Sequence, residues 1–308
     1  HMDTVPADSA QWESDPWKLT SRDERWYARG SCDMKGFLAI AIHAIQITET
    51  TNAPLALLLT CDEELGSFGA QHIVEHGLPI PLPNQVIIGE PTSLQVVRLH
   101  KGHLSMRVDI KGVAAHTGAP HLGKNAVIAA STVAVALSEL ASVFETERTE
   151  ESAHFTEESA FPVLTVSTMQ GGSAINVVPD HCSLGLGLRL LPDQDQDETV
   201  SRLRQTIEQS CELPWTLTML GDNPTLLTNK SAPINQWLCN HIDQHHAVGV
   251  SFGTDGGYLA RMGFECVLYG PGDIAVAHKP DEFVPINEME QCSATIEQAI
   301  AHFCGEGV

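Results

Sequence analysis

The sequence predicts an α/β fold, a mostly parallel sheet with helices packed on it, interrupted by a ferredoxin-like β-α-β-β-α-β unit. Three observations carry this expectation. Short apolar runs alternate with segments whose apolar residues recur at helical spacing, the pattern of a parallel sheet. Acids and a histidine follow those runs directly, where open α/β sheets place ligand sites. The middle of the chain instead gives strands and helices in the ferredoxin-like order.

Taken in order, Phe37–Ile47 has helical spacing and follows Asp33. Ala53–Thr60 (APLALLLT) is a continuous apolar run and reads as a buried parallel strand. The acids Asp62, Glu63 and Glu64 follow it. A helix fits Ser67–His76, stopped by Gly77. Gln85–Gly89 is a second buried strand followed by Glu90, and Glu265–Tyr269 a third, followed by the loop that carries His278. The last helix spans about Asn287–Phe303. In the middle, His103–Lys111 alternates as a strand with one wet face does. The Ala/Val-rich helix Asn125–Leu140, strands Val163–Met169 and Cys182–Leu190, helix Thr199–Cys211 and strand Trp215–Leu220 complete the unit. Residues 1–100 and 221–308 form one domain and residues 101–220 the inserted one.

Composition excludes several classes. Seventeen Lys+Arg against 39 Asp+Glu give a net charge of −22, which repels phosphate backbones and anionic lipid, so neither nucleic acid nor a membrane is expected as a partner. No apolar run reaches the roughly 18 residues of a membrane span. No secretory signal opens the chain. Eight scattered Cys without a CxxC pair suit reduced thiols and a cytoplasmic location. Fifteen His beside this many carboxylates favour a metal site.

Candidate residues follow from position. His1 and Asp3 are spaced so that the acid could orient the imidazole for a metal; a tag remnant explains His1 equally well. Asp33 lies in GSCDMKG, between Gly30 and Gly36, as a ligand or as a helix N-cap. Adjacent Glu63 and Glu64 repel each other at the end of a buried strand, a cost that a cation relieves; one such acid can ligate while the other serves as base. The bland alternative is a solvated acidic turn. Glu90 before Pro91 is a ligand or a turn former, and His278 lies on a Gly/Pro loop where most histidines are solvated. Together they supply two His and four carboxylates, the composition of a two-metal oxygen/nitrogen site that needs neither Cys32 nor Cys61. In the inserted unit, His116 precedes the Ala-rich helix and Arg189 ends a strand. An Arg fork suits a carboxylate, although a cap and a surface charge explain the two equally well on pattern alone.

The ordered motifs HMDTVP, RGSCDMKG, TCDEELGSFGA, IIGEPTSLQ, GVAAHTGAPHLGKNA and GPGDIAVAHKPDE resemble the zinc-dependent amidohydrolase/peptidase family of acetylornithine deacetylase, succinyl-diaminopimelate desuccinylase, carboxypeptidase G and aminoacylase. The resemblance runs from His1 to the C-terminus. Its stretches IIGEPTSLQVVRLHKGH and YGPGDIAVAHKPDEF are most similar to the acetylornithine deacetylase members. It implies a zinc-peptidase-like catalytic metal-binding domain over residues 1–100 and 221–308, with residues 101–220 as a lid and dimerisation domain.

It also implies two Zn2+, with Co2+ able to substitute. One takes His1, Asp33 and Glu90; the other takes Glu64, His278 and the second oxygen of Asp33. Asp3 orients His1, Glu63 is the general base, and His116 reaches a neighbouring subunit's site to stabilise an oxyanion. Asn176 and Arg189 match substrate-binding positions. The implied reaction is hydrolysis of a small N-acyl amino acid, N-acetyl-L-ornithine to L-ornithine and acetate in arginine biosynthesis, by a homodimer. A desuccinylase or dipeptidase of the same family, or an inactive binding protein on this fold, are the competing expectations. Family members carry early strands and helices upstream of the first motif. Against that pattern the chain starts at its first ligand, a native His1 is favoured, and an incomplete sheet is expected.

Overall fold

The computed structural model describes residues 1–305. The chain divides into two compact units. The first comprises His1–Leu99, Leu226–Gly249 and the segment from Thr254 onward; the second comprises His100–Thr225 and Val250–Gly253.

In the first unit, strand Glu265–Leu268 pairs in parallel with Gln85–Ile88 and antiparallel with Val97–His100. The last of these also pairs with Leu226–Leu227 and Val248–Val250, so the sheet is mixed. Helices Lys35–Ile47 and Ile286–Cys304 bury Phe37, Ile40, Ala44, Cys292 and Ile296 against Val267 and Tyr269 of this sheet and its continuation. Each such large side chain contributes about 1.5–3 kcal/mol on burial. Gly89 sits where a Cβ would enter the Phe37 ring, which is why the strand's end can pass so close to the first helix. A hairpin of Thr20–Arg22 and Arg25–Tyr27 adds Phe283–Pro285 as its third strand. Its two-residue loop, Asp23 and Glu24, has positive φ at both positions, the conformation a tight hairpin demands.

One expected element is absent. Ala53–Thr60 carries no ladder, and Leu57 and Leu59 are 38% and 43% exposed. Apolar content alone does not make a strand; a neighbour must take its N–H and C=O groups. Among the described residues no strand lies alongside this run. A cavity of about 350 Å³ borders it instead, lined by Leu55, Leu57, Phe37, Ile87 and Ile300. Among the described residues, its backbone hydrogen bonds lie at its ends, where Asn52 and Ala53 donate to the Cys304 carbonyl and Met2 donates to that of Thr60.

The second unit is an antiparallel sheet in the order Trp215–Asn223, Gly102–Lys111, His181–Leu190, Val163–Gly171, covered on one face by helices Ala126–Phe144 and Gln196–Ser210. This is the ferredoxin-like order, in which the first strand lies between the last and the third. Alternation buries Leu104, Met106, Val108 and Ile110 with Leu184, Leu186 and Leu188 under the helices. Asn125 caps the first helix by accepting from Val127 and Ile128. That 19-residue helix is long and apolar enough, by length and composition, to cross a membrane. The expectation that no segment reaches that length is corrected here, because the scattered Ser131, Thr132, Ser138 and Glu139 interrupt the apolar run in sequence but little affect its mean hydropathy. Ala126, Ala130, Val133, Leu137 and Phe144 are buried in the unit, as in a core helix.

Candidate active site

Two segments clip together to start the site. Asp3 accepts the Glu64 N–H at 3.1 Å and Glu64 accepts the Val5 N–H at 3.2 Å. The turn Asp62–Ser67 folds on itself, with Gly66 and Ser67 donating to the Glu63 carbonyl and positive φ at Asp62 and Ser67. It leaves both side chains of the acidic pair largely covered, 13% exposed for Glu63 and 7% for Glu64, so this is not a solvated acidic turn.

Asp33 is the hub. Its Oδ1 lies 3.0 Å from His1 Nε2 and its Oδ2 lies 3.1 Å from His278 Nε2. His278 also meets Glu64 at 2.9 Å, and His1 Nε2 lies 3.9 Å from Glu63. The other ring nitrogen of His1 lies 3.1 Å from the Asp3 carbonyl oxygen and 3.5 Å from its carboxylate. Asp33 caps nothing: Met34 holds the N-cap position of helix Lys35–Ile47, and no side chain bonds to that helix start. Glu90, at the end of strand Gln85–Ile88, is 4% exposed. Among the described residues, one of its oxygens has no hydrogen-bond partner, and the same holds for Asp3 Oδ1.

Sequence reading missed the residues that hold Asp33 in place. Glu282, 1% exposed, accepts from the backbone N–H groups of Cys32 (2.9 Å) and Asp33 (3.1 Å) with one oxygen, and from Arg29 Nη1 with the other (2.5 Å). It closes the motif that carries His278, four residues on, which was the available signal. Asp255, in a Gly-flanked turn, is also buried; it bonds to the Thr60 and Ser67 side chains and shares the field of His1 and Asp3. Nothing in its local sequence separates it from an ordinary turn acid. Cys32 is buried, donates to the Asp273 carbonyl at 3.5 Å, and burial pushes its thiol far up; Cys61 is exposed.

The electrostatics are those of a crowded anionic pocket. Burial alone would lower the His1 pKa. The hydrogen bond to Asp33 and the charges of Glu90, Asp33 and Glu63 instead raise it to about 10. His278 is raised to about 10 by its bonds to Asp33 and Glu64. Burial works to raise Asp33, but the two imidazoles outweigh it and hold the carboxyl near 2. Burial, with Asp255, Asp33 and Glu64 nearby, pushes Glu63 up to about 8. Glu90 is pushed well above the usual carboxylate range by burial and then by Asp33 and Glu63. Protons and a cation compete for such lone pairs. His1, Asp33 and Glu64 each offer a ligand atom within 4.8 Å of the others. An oxygen/nitrogen donor set with a bridging carboxylate and a partnerless buried oxygen on Glu90 fits a pair of divalent ions.

In the second unit, His116 and Asn176 lie on adjoining segments. His116 is in a short bridge to Val177, accepts the Gly118 N–H at 3.0 Å and is exposed; Thr117 donates to the Asn176 carbonyl. His116 therefore does not cap the Ala126–Phe144 helix. Arg189 lies inside strand His181–Leu190, half-buried rather than on the surface.

Carboxylates and imidazoles gathered around one bridging Asp, together with the relationships below, define a hydrolase acting on amides. The chain belongs to Peptidase family M20/M25/M40, which matches residues 1–302. It is 36% identical over 310 residues to acetylornithine deacetylase of Myxococcus xanthus, covering 99% of this chain and 79% of that protein. It is 32% identical over 316 residues to the acetylornithine deacetylase of Vibrio parahaemolyticus, covering 99% and 80%. Its fold is similar to that of an M20 family metallo-carboxypeptidase from Sulfolobus solfataricus, with TM-score 0.71, 19% identity, 96% of this chain and 82% of that one. A tripeptidase from Staphylococcus aureus gives TM-score 0.71 at 17% identity, covering 92% and 75%.

Proposed function

We propose that this chain removes the acyl group from an N-acyl amino acid, with N-acetyl-L-ornithine and water giving L-ornithine and acetate, a step of arginine biosynthesis in the cytoplasm. The observation that carries the reading is Asp33 offering one oxygen toward His1 and the other toward His278, with Glu63 3.9 Å from His1. His1, Asp33 and Glu90 would hold one Zn2+ (or Co2+), and Glu64, His278 and the second Asp33 oxygen the other. Such a pair, when bound, supplies Lewis-acid polarisation of the amide carbonyl and a lowered pKa for water.

The chain's own residues do the rest. Asp3 keeps His1 oriented. Glu63 accepts a proton from the attacking water and passes it to the leaving amine nitrogen. Burial raises its proton affinity, which suits a group that must both take and return a proton. His116 donates to the developing oxyanion, acting in a neighbouring subunit's site, and Asn176 and Arg189 bind the substrate. The residue 101–220 region serves as lid and dimerisation domain. The relatives named acetylornithine deacetylase favour the acetyl substrate, and so does charge. N-succinyl-diaminopimelate carries three carboxylates, and this chain has 17 Lys+Arg in all.

The test is metal content and turnover on one purified sample. About two zinc per chain with hydrolysis of N-acetyl-L-ornithine supports the reading. Hydrolysis of N-succinyl-diaminopimelate in preference would overturn the substrate, and a metal-loaded chain inert on both would overturn the activity.

A further inference from the structure

The turn that carries the acidic pair is not held by a sheet. The run leading into it, Ala53–Thr60, has no ladder, so the place of Glu63 and Glu64 is fixed by other contacts. Within the turn the backbone closes on itself. Phe68 donates to the Asp62 carbonyl and Gly69 to that of Cys61. A Cβ at Gly69 would lie 2.3 Å from that Cys61 oxygen, so glycine is what lets the two ends meet. These bonds set the shape of the turn but not its position. On one side the start of the chain holds it. Met2 donates to the Thr60 carbonyl, Glu64 to Asp3 and Val5 to Glu64.

On the other side stands Asp255. It occupies the N-cap position of helix Gly256–Arg261, where an Asp ordinarily accepts from the first turn. Here it makes no cap bond, and the Thr254 hydroxyl accepts the Gly256 N–H at 3.0 Å instead. The Asp255 carboxylate, 4% exposed, turns to the hydroxyls of Thr60 and Ser67. These two buried residues stand immediately before and after Cys61–Gly66. The helix that Asp255 opens is seated on the sheet, since a Cβ on Gly256 would meet Ile88 at 3.1 Å and Leu226 at 3.2 Å. The carboxylate thus joins both ends of the turn to an element that the sheet does hold. Ser67 has a φ of +59°, a conformation rare for a residue with a side chain. It is fixed there by its hydroxyl on Asp255 and its N–H on the Glu63 carbonyl at 2.9 Å. On charge alone a carboxylate is a poor choice for this place. Asp3, Glu63 and Glu90 share its field, and buried like charges repel. What it offers is charge-assisted hydrogen bonds, roughly twice as strong as neutral ones.

We propose that Asp255 is the positioning residue of the acidic turn, bracing Thr60 and Ser67 so that Glu63 and Glu64 stand in fixed places beside Asp33 and the two imidazoles. The brace rests on these contacts alone, and its consequence for turnover rests on the deacylase reading. Asp255 touches no reacting atom and moves no proton.

Three variants and two measurements test it. Asp255→Asn keeps an acceptor oxygen without the charge, Asp255→Ala removes both, and Ser67→Gly removes one hydroxyl while suiting the positive φ. In the zinc-loaded enzyme, Asp255→Ala should lower kcat for N-acetyl-L-ornithine about 100-fold, the scale of an ångström's misplacement, with KM within about twofold. Asp255→Asn should stay within about fivefold of the parent, since neutral bonds replace charge-assisted ones. Ser67→Gly should lower kcat about tenfold and add nothing further in the Asp255→Ala background, because both remove the same contact. In the full chain without added metal, the Gly66 and Ser67 amides should exchange hydrogen about tenfold faster in Asp255→Ala, and the position 67 amide likewise in Ser67→Gly. The amides of strand Glu265–Leu268 should keep the parent's rate. Equal kcat losses for Asp255→Asn and Asp255→Ala, additive losses in the double variant, or unchanged exchange in the turn overturns the brace. If the parent itself turns over no substrate while the turn exchanges as stated, the brace stands and the deacylase reading falls.

Discussion

Asp33 meets an imidazole with each carboxylate oxygen, and that sets what single substitutions should do. Asp33→Ala removes the one carboxylate among the described residues that touches both His1 and His278, so metal content should fall from about two per chain to below one by elemental analysis; retention of both would refute the bridging role. Glu63→Gln keeps the shape but not the proton acceptor. Turnover should drop by about 10²–10⁴ while metal stays bound, the range of a lost general base. Activity within tenfold of the parent would remove Glu63 from the mechanism. Away from the site, His100 is fully buried and held at about 4, below its ordinary 6.5, by burial above all. The unfolded chain takes up a proton below pH 6.5 that the folded chain refuses until about pH 4. His100 therefore costs nothing above pH 6.5, and stability falls as pH drops through that window, by roughly 3 kcal/mol in total. His100→Asn, which can still donate to the Lys101 carbonyl, should lose less stability than the parent between pH 7 and 4.5 in urea titrations; an identical loss would contradict this. The acids and histidines that meet at Asp33 were legible from their own sequence neighbourhoods: Glu63 and Glu64 as an adjacent acidic pair after an apolar run, Asp33 between glycines, His278 on a Gly/Pro loop, and His1 from its spacing to Asp3. Glu282 and Asp255 were not, because what singles them out is contact with residues about 190–250 positions away, such as Cys32 and Thr60.

Helices and strands were legible where local pattern and packing agree. Phe68–His76 ends at Gly77, which has positive φ, and Lys35–Ile47 and Ile286–Cys304 follow their apolar spacing. The second unit forms in the order read from alternation, since each of its strands finds a neighbour within the unit. Ala53–Thr60 shows the limit, for sequence composition says that a segment is apolar but not which strand will pair with it. The tie between elements that matters most for the site is the Arg29–Glu282 pair, with side chains 3% and 1% exposed. Glu282→Ala would strand the guanidinium and leave two backbone N–H groups without their acceptor. Breaking a buried pair from one side costs about 3–5 kcal/mol. The variant should show a lowered urea midpoint and weakened metal binding together. Loss of stability with metal affinity intact would mean that the pair supports the fold but does not position Asp33.

At the scale of the whole molecule, the helix Ala126–Phe144 raises the question of assembly. One stripe of it, Ala126, Ala130, Val133 and Leu137, is buried under the sheet of its own unit. Another, with Ile128 at 63% and Val135 at 60% exposed, lies two turns apart on an outer face. A helix apolar on both sides calls for cover on both. A lipid surface is a poor match for a chain of net charge −22, and a second copy is the partner that the proposed homodimer supplies. Val135→Glu should then shift the chain from dimer to monomer in sedimentation equilibrium, with the unfolding midpoint changed little, because the position is exposed within the unit. The same charge predicts the salt response. Two copies of a −22 chain repel each other, and raising ionic strength from about 0.01 to 0.15 M shortens the screening length from about 30 to 8 Å, so dimerisation of the parent should tighten with salt. A parent that is monomeric at all salt concentrations, or a Val135→Glu variant that remains dimeric, would place the homodimer contact elsewhere or remove it.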